Sequence, residues 1–143
     1  MTRQGRPFVV IGENIHCTRK LKRQGRRIVL LADGREAVAY QTPEGTPARM
    51  VVPESIRRSG AFESGMVAHV ACAVELGLEG DAEGRRVARE YIAWLARTQV
   101  TAGAACLDIN VDEVSPDIGR RDAAMSWIVP VVQIGRASVR GRV

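Results

Sequence analysis

A chain of 143 residues with 45% hydrophobic, 26% charged and 4% aromatic residues has the length of one ordinary domain and falls short of the ~250 residues a closed (β/α)8 barrel takes. Its composition excludes a disordered or collagen-like chain, and no apolar run approaches the ~20 residues of a membrane span. The net charge of +5 is uneven: residues 1–27 hold eight Arg/Lys and one Glu, residues 28–135 ten Arg and fifteen acids, and residues 136–143 three Arg.

Residues 1–6 (MTRQGR) lack the apolar core of a secretory signal. Cys17, Cys72 and Cys106 are odd in number, widely spaced and without a C-x-x-C pair. Structural zinc and a disulfide framework are therefore not expected, and a reducing, cytoplasmic setting is.

In chain order, Phe8 to Gly12 is a continuous apolar run, the pattern of a strand covered on both faces. It leads into Glu13, Asn14, Ile15 and His16. Residues 18–27 are almost wholly basic or polar and read as a loop. Ile28–Leu31, Asp33-Gly34 and Glu36–Tyr40 spell a hairpin, since Asp-Gly accepts the positive φ of a tight turn. Residues 42–47 form another turn, and Met50 to Val52 a short strand stopped by Pro53.

From Phe62 the period becomes helical. Phe62, Met66, His69/Val70 and Ala73/Val74 predict one helix ending between Gly77 and Gly80. Asp81 caps a second, whose stripe of Val87, Tyr91, Trp94/Leu95 and Thr98/Gln99 runs to Ala102, with Gly103 as the stop. Residues 105–112 (ACLDINVD) form the second strong strand. After a turn holding Pro116, Arg121–Val132 is a third helix, with Ala124, Trp127/Ile128 and Val131 on one face. Pro130 should kink or shorten it. Residues 134–143 keep neither pattern and are expected to be a disordered or out-of-pattern tail, consistent with a truncated or frame-shifted reading.

Strand, excursion, helix, strand, helix is the opening of an α/β protein with a parallel sheet. On the second strand Leu107, Ile109 and Val111 fall on one face, and Asp108, Asn110 and Asp112 on the other. Asn14 and His16 share a face of the first. If the strands are neighbours, Asn14, His16, Asp108 and Asn110 converge at their carboxyl ends, where fixed acceptors and donors suit a flat, hydrogen-bond-rich heterocycle. Plainer readings stand beside this one. Asp108 and Asn110 can close a strand and cap a turn, His16 can be an ordinary strand-end residue, and Glu13 can pair with a nearby Arg. Cys106 reads as a small buried hydrophobe, and Trp94, Trp127, Tyr91 and Met125 as core.

FVVIGENIH (residues 8–16) resembles the opening strand of the pterin-binding family, which holds dihydropteroate synthases and methyltetrahydrofolate methyltransferases; the latter typically begin with an apolar run and Gly-Glu-Arg-x-Asn. QVTAGAACLDINV (99–111) is similar to their second unit, and AAMSWIV (123–129) to the helix after it. The likeness covers residues 8–16 and 87–133. It implies a partial TIM (β/α)8 barrel comprising the first two βα units. Residues 17–80 would be an insertion, of which 17–60 holds the hairpin.

The resemblance further implies a pterin pocket to which Glu13, Asn14, Asp108 and Asn110 match by position, while His16 stands where relatives tend to have Asn. A carboxylate would hold the pterin's amino-pyrimidine edge, and an Asn would lie near N5. The principal pterin-gripping Asp and Asn belong to later strands, beyond the end of this chain. The implied activity of the intact relative is transfer of the N5-methyl group of methyltetrahydrofolate to a corrinoid, with a corrinoid protein as partner and a homodimer as assembly. Dihydropteroate synthesis from a pterin pyrophosphate and p-aminobenzoate is the alternative, and the Asn-Val-Thr-Pro-Asp-Ser-Phe segment tied to it is missing. A small basic non-catalytic binding protein or remnant is a third reading. The chain alone is expected to be catalytically inactive. The basic run Arg19–Arg27 has no interleaved aromatics, so nucleic-acid binding is not expected, and a solvated loop or a patch near an anionic folate tail is.

Overall fold

The computed structural model describes residues 9–140, and of Arg140 only the backbone. Seven strands and five helices follow in the order β1 (Ile11–His16), β2 (Leu21–Lys22), β3 (Ile28–Leu30), β4 (Glu36–Gln41), β5 (Pro47–Val51), α1 (Glu54–Arg57), α2 (Gly60–Glu63), β6 (Met66–Val67), α3 (His69–Glu79), α4 (Ala82–Thr101), β7 (Cys106–Asn110) and α5 (Ile118–Arg140). The protein is mixed α/β, and the described residues contain no closed barrel. Three small sheets form: β1–β7, parallel; β2–β6, antiparallel; and β3–β4–β5, antiparallel.

The hairpin forms where Asp33-Gly34 stands. Gly34 takes φ +88°, its N–H donates to the Leu31 carbonyl at 2.9 Å, and Leu31 N–H donates to Arg35 O at 2.8 Å. α4 begins as its cap residue dictates: Asp81 Oδ1 accepts from Gly84 N–H at 2.7 Å. It ends before Gly103, at φ +108°. Its buried stripe of Val87, Ala88, Tyr91, Ile92, Leu95 and Ala96 packs on α3, α5, β1 and the β4–β5 ribbon, so this helix is the centre of the core. Ile15, Val38, Met50, Tyr91, Ile92, Leu95 and Ile128 are its largest fully buried apolar side chains.

Four expectations are corrected. The first strand starts at Ile11 and runs to His16, and its apolar run is not covered on both faces: Val9, Val10 and Ile11 are exposed, and Phe8 lies outside the described residues. The helix expected to run unbroken from Phe62 is divided, because Gly65 takes φ +93° and lets Met66–Val67 pair with β2, inside the segment read as loop. Residues 134–140 continue α5 and are not an out-of-pattern tail; residues 141–143 lie outside the described residues. Pro130 sits within α5 and does not end it.

The continuation of α5 has a packing cause. Gly135 is buried against α4, where a Cβ would stand 2.6 Å from the Ala93 carbonyl oxygen, so the two helices approach closely there. Arg136 also donates to the Ala105 carbonyl at 2.8 Å, tying α5 to the residue before β7. At the other end Asp117 Oδ2 accepts from Arg120 N–H at 3.1 Å, supplying the first turn with an acceptor.

Candidate functional site

β1 and β7 lie side by side and parallel, in the register Ile11–Cys106, Gly12–Leu107, Ile15–Ile109 and His16–Asn110. Two residues of β1, Glu13 and Asn14, stand opposite the single Asp108, a bulge that shifts the register by one. Ile15 and Val111 are buried and Leu107 and Ile109 half-buried, while Ile11, Glu13, Cys106 and Asp108 are exposed. The exposed position of Cys106 corrects its reading as a buried hydrophobe. The cause is that no further strand or helix among the described residues covers it.

The bulge leaves His16 within reach of the residue diagonal to it. His16 Nε2 and Asp108 Oδ2 are 3.0 Å apart, with side chains 17% and 52% exposed. An ionised carboxylate only accepts, so Nε2 carries the hydrogen of this contact. Asp108 Oδ1 has no protein donor among the described residues, leaving acceptor capacity on this carboxylate.

Asn110 is held from two sides. Its Oδ1 accepts from Asp112 N–H at 2.9 Å and lies 3.7 Å from Cys17 Sγ. Cys17 in turn accepts from Glu113 N–H at 3.1 Å, and burial, the largest effect on it, raises its thiol above the ordinary range. Cys17 thus packs the strand ends together as a neutral group, a role the sequence reading did not assign; its place directly after the strand was the only available signal. Asn14 sits half-buried in the bulge, with its side chain bonded to none of the other four. Glu13 turns to Arg19 Nη2 at 3.4 Å, which is its plainer reading. Both partners are more than half exposed, so the pair contributes little to stability.

The structure therefore gathers His16, Asp108 and Asn110 at the carboxyl ends of two parallel strands, places Asn14 beside them and directs Glu13 elsewhere. The arrangement offers a ligand a carboxylate, an amide and an imidazole on one open edge. Grooves of about 390, 750, 400 and 450 Å3 lie elsewhere on the surface, none lined by these five residues. With two strands abreast among the described residues, their tips are open rather than enclosed. Among the described residues no group of three His, Cys, Asp or Glu could hold a metal ion, and no helix is long and apolar enough to cross a membrane.

A second polar cluster, also missed by the sequence reading, lies inside the core. Arg27 Nη2 donates to the Tyr91 hydroxyl at 2.7 Å, and that hydroxyl lies 2.6 Å from His69 Nδ1. Since the hydroxyl accepts from Arg27, its own hydrogen goes to Nδ1, which fixes His69 as the neutral Nε2–H form. Burial first, and the Arg27 charge second, push His69 down to about 3. Tyr91 is pushed well above its ordinary value by burial, against the opposing pull of Arg27. This cluster joins the β3–β4 ribbon to α3 and α4 and is structural.

Comparison of the chain with models of protein families, with curated proteins and with solved structures gave no match to any of them.

Proposed function

We propose that the carboxyl ends of β1 and β7 bind the ring of a reduced pterin, and that β1, α4, β7 and α5 correspond to the first two βα units of a pterin-binding (β/α)8 enzyme, with residues 17–80 inserted between them. The observation that carries this reading is the parallel β1–β7 pair with the His16–Asp108 contact at its carboxyl ends. Parallel strands joined through a helix place polar tips on the face where α/β enzymes build their sites.

The donor set suits the ring. The amino-pyrimidine edge of a reduced pterin presents N–H donors, and Asp108 is a half-exposed carboxylate with unfilled acceptor sites. Asn14, in the bulge, and His16, oriented by Asp108, supply polar groups for the opposite edge of the ring near N5. A donor there, which the Asn14 amide supplies, makes the N5 amine a better leaving group for its methyl substituent, so the activity proposed for the enzyme class is methyl transfer from methyltetrahydrofolate. Nothing among the described residues forms a bed for a corrinoid ring, so the chemistry assigned to these strands is binding and orientation of the pterin.

Calorimetric titration of the protein with 5-methyltetrahydrofolate tests this. Asp108→Asn keeps the shape and removes the charge, and a charge-assisted hydrogen bond contributes ~1.5–3 kcal/mol. Binding should therefore weaken roughly ten- to hundredfold, with an unchanged melting temperature. Absence of binding up to about 1 mM ligand, or equal affinity in the variant, overturns the reading.

A further inference from the structure

The basic run between residues 19 and 27 divides in the fold. Arg19, Lys20 and Arg23 each reach a carboxylate, on Glu13, Glu113 and Glu36. Arg27 reaches none among the described residues. Its Nη2 is given to the Tyr91 hydroxyl and the Ala39 carbonyl, its buried Nε has no partner, and its guanidinium carbon lies 4.8 Å from the centre of the Trp94 ring. This stacked guanidinium lines an open groove of about 450 Å3 together with Tyr40, Gln41, Trp94 and Thr98.

A second hollow of about 390 Å3 shares Gln41, Trp94 and Thr98 with the first and extends to Arg97. Among the described residues Arg97 donates only to the Gln41 carbonyl, at 3.5 Å. Among the described residues no Asp or Glu lines either hollow. The adjoining hollows therefore hold two guanidiniums without a compensating carboxylate from those residues, beside the indole of Trp94.

We propose that this groove, between α4 and the β4–β5 ribbon, binds a planar aromatic ring bearing a phosphate, a ligand of the nucleoside monophosphate class. Two arginines in a groove with no carboxylate among the described residues select an anion: the Arg97 fork matches phosphate oxygens, and Arg27, its Nη2 already bonded to Tyr91 and Ala39, adds its charge. Trp94 lines both hollows, so a base lying in the groove meets its indole. Each hollow falls within the ~300–1,000 Å3 that small-molecule sites occupy. The groove is independent of the β1–β7 tips and shares no residue with them.

Adenosine monophosphate, adenosine and inorganic phosphate, each titrated calorimetrically into the whole chain, test the assignment. Adenosine monophosphate should bind with quenching of tryptophan fluorescence, and adenosine and phosphate each at least about tenfold more weakly. Arg97 is not among the buried residues, so Arg97→Gln should weaken the nucleotide about tenfold or more while the chain melts as before. Asp108→Asn should leave nucleotide binding unchanged, so that this site and the pterin site stand or fall separately. No nucleotide binding up to about 10 mM, phosphate binding as tightly as the nucleotide, or an unaffected Arg97→Gln variant would each overturn the proposal.

Discussion

Gly135→Ala isolates the helix contact that keeps α5 in place. Taken alone, the change favours the helix by ~1 kcal/mol, the difference between Gly and Ala in a helix interior. Against that, the added methyl would stand 2.6 Å from the Ala93 carbonyl oxygen and 2.8 Å from the Ala93 Cα. Both are backbone atoms, so relief requires α4 and α5 to part by several tenths of an ångström along a shared core that includes Ile92, Ala96, Ile128 and Val132. Overpacking of this kind costs ~1–3 kcal/mol; because no side chain can swing away, the upper half of that range applies, and the net loss is ~1–2 kcal/mol. For a chain of this length that is a fall of roughly 3–8 °C in melting temperature, measured by circular dichroism or calorimetry. Gly119→Ala, in the first turn of the same helix, is the matched control. Its Cβ would lie 3.5 Å from the nearest atom, the Asp117 carboxylate, so it should be neutral or slightly stabilising. A Gly135→Ala protein as stable as the parent, or more so, would refute the close approach and with it the continuation of α5 past Val132.

Two further outcomes follow from buried groups. An unfolded chain protonates His69 near pH 6.5 whereas the folded one holds off until about 3, so stability is full above 6.5 and falls as the pH drops toward 3, by at most ~1.4 kcal/mol per pH unit from this residue; chemical denaturation between pH 5 and 6.5 should show a flatter slope for His69→Gln, and an equal slope would refute the neutral assignment. Cys106 is exposed, whereas Cys17 and Cys72 are buried and burial pushes their thiols up, Cys72 to about 12; a disulfide reagent should therefore titrate one fast thiol in the native chain and none in Cys106→Ser, and two fast thiols in the parent would contradict the packing around Cys17.

Where a local signal and the tertiary structure agree, the sequence was readable. Asp33-Gly34 requires nothing beyond its own four residues to turn the chain, and Asp81 caps α4 with an oxygen three residues from its acceptor need. The parallel pairing of β1 and β7 was readable from the strand–helix–strand order, and the polar face of β7 from the alternation of Leu107, Ile109 and Val111 against Asp108 and Asn110. Gly65 escaped notice because Phe62, Met66 and Val70 keep a helical interval across it; periodicity counts apolar residues and is blind to a positive φ between them. Residues 134–143 keep no apolar stripe, so the continuation of α5 was not legible; Gly135 nonetheless completes the buried stripe of Ala124, Ile128, Val131 and Val132 by being small enough to touch backbone. The Arg27–Tyr91–His69 chain spans 64 residues of sequence and left no local trace.

The misreading of Cys106 and of the first strand shares one physical origin with the candidate site. Continuous apolar runs are the signature of parallel strands covered on both faces; residues 8–12 carry that signature, whereas residues 105–111 alternate, with Asp108 and Asn110 on one face. In the fold α4 covers the face of Ile15, and the opposite face leaves Ile11 56% exposed beside Cys106. The same uncovered face carries Asp108 and His16 at its carboxyl end, so the apolar exposure and the polar tips are two halves of one surface. A ligand bound only at the tips would leave Ile11 and Cys106 wet, which separates the contributions cleanly: Asp108→Asn should change pterin affinity, while Ile11→Ser, one turn of the pleat away, should leave it untouched and merely reduce the adhesive apolar area.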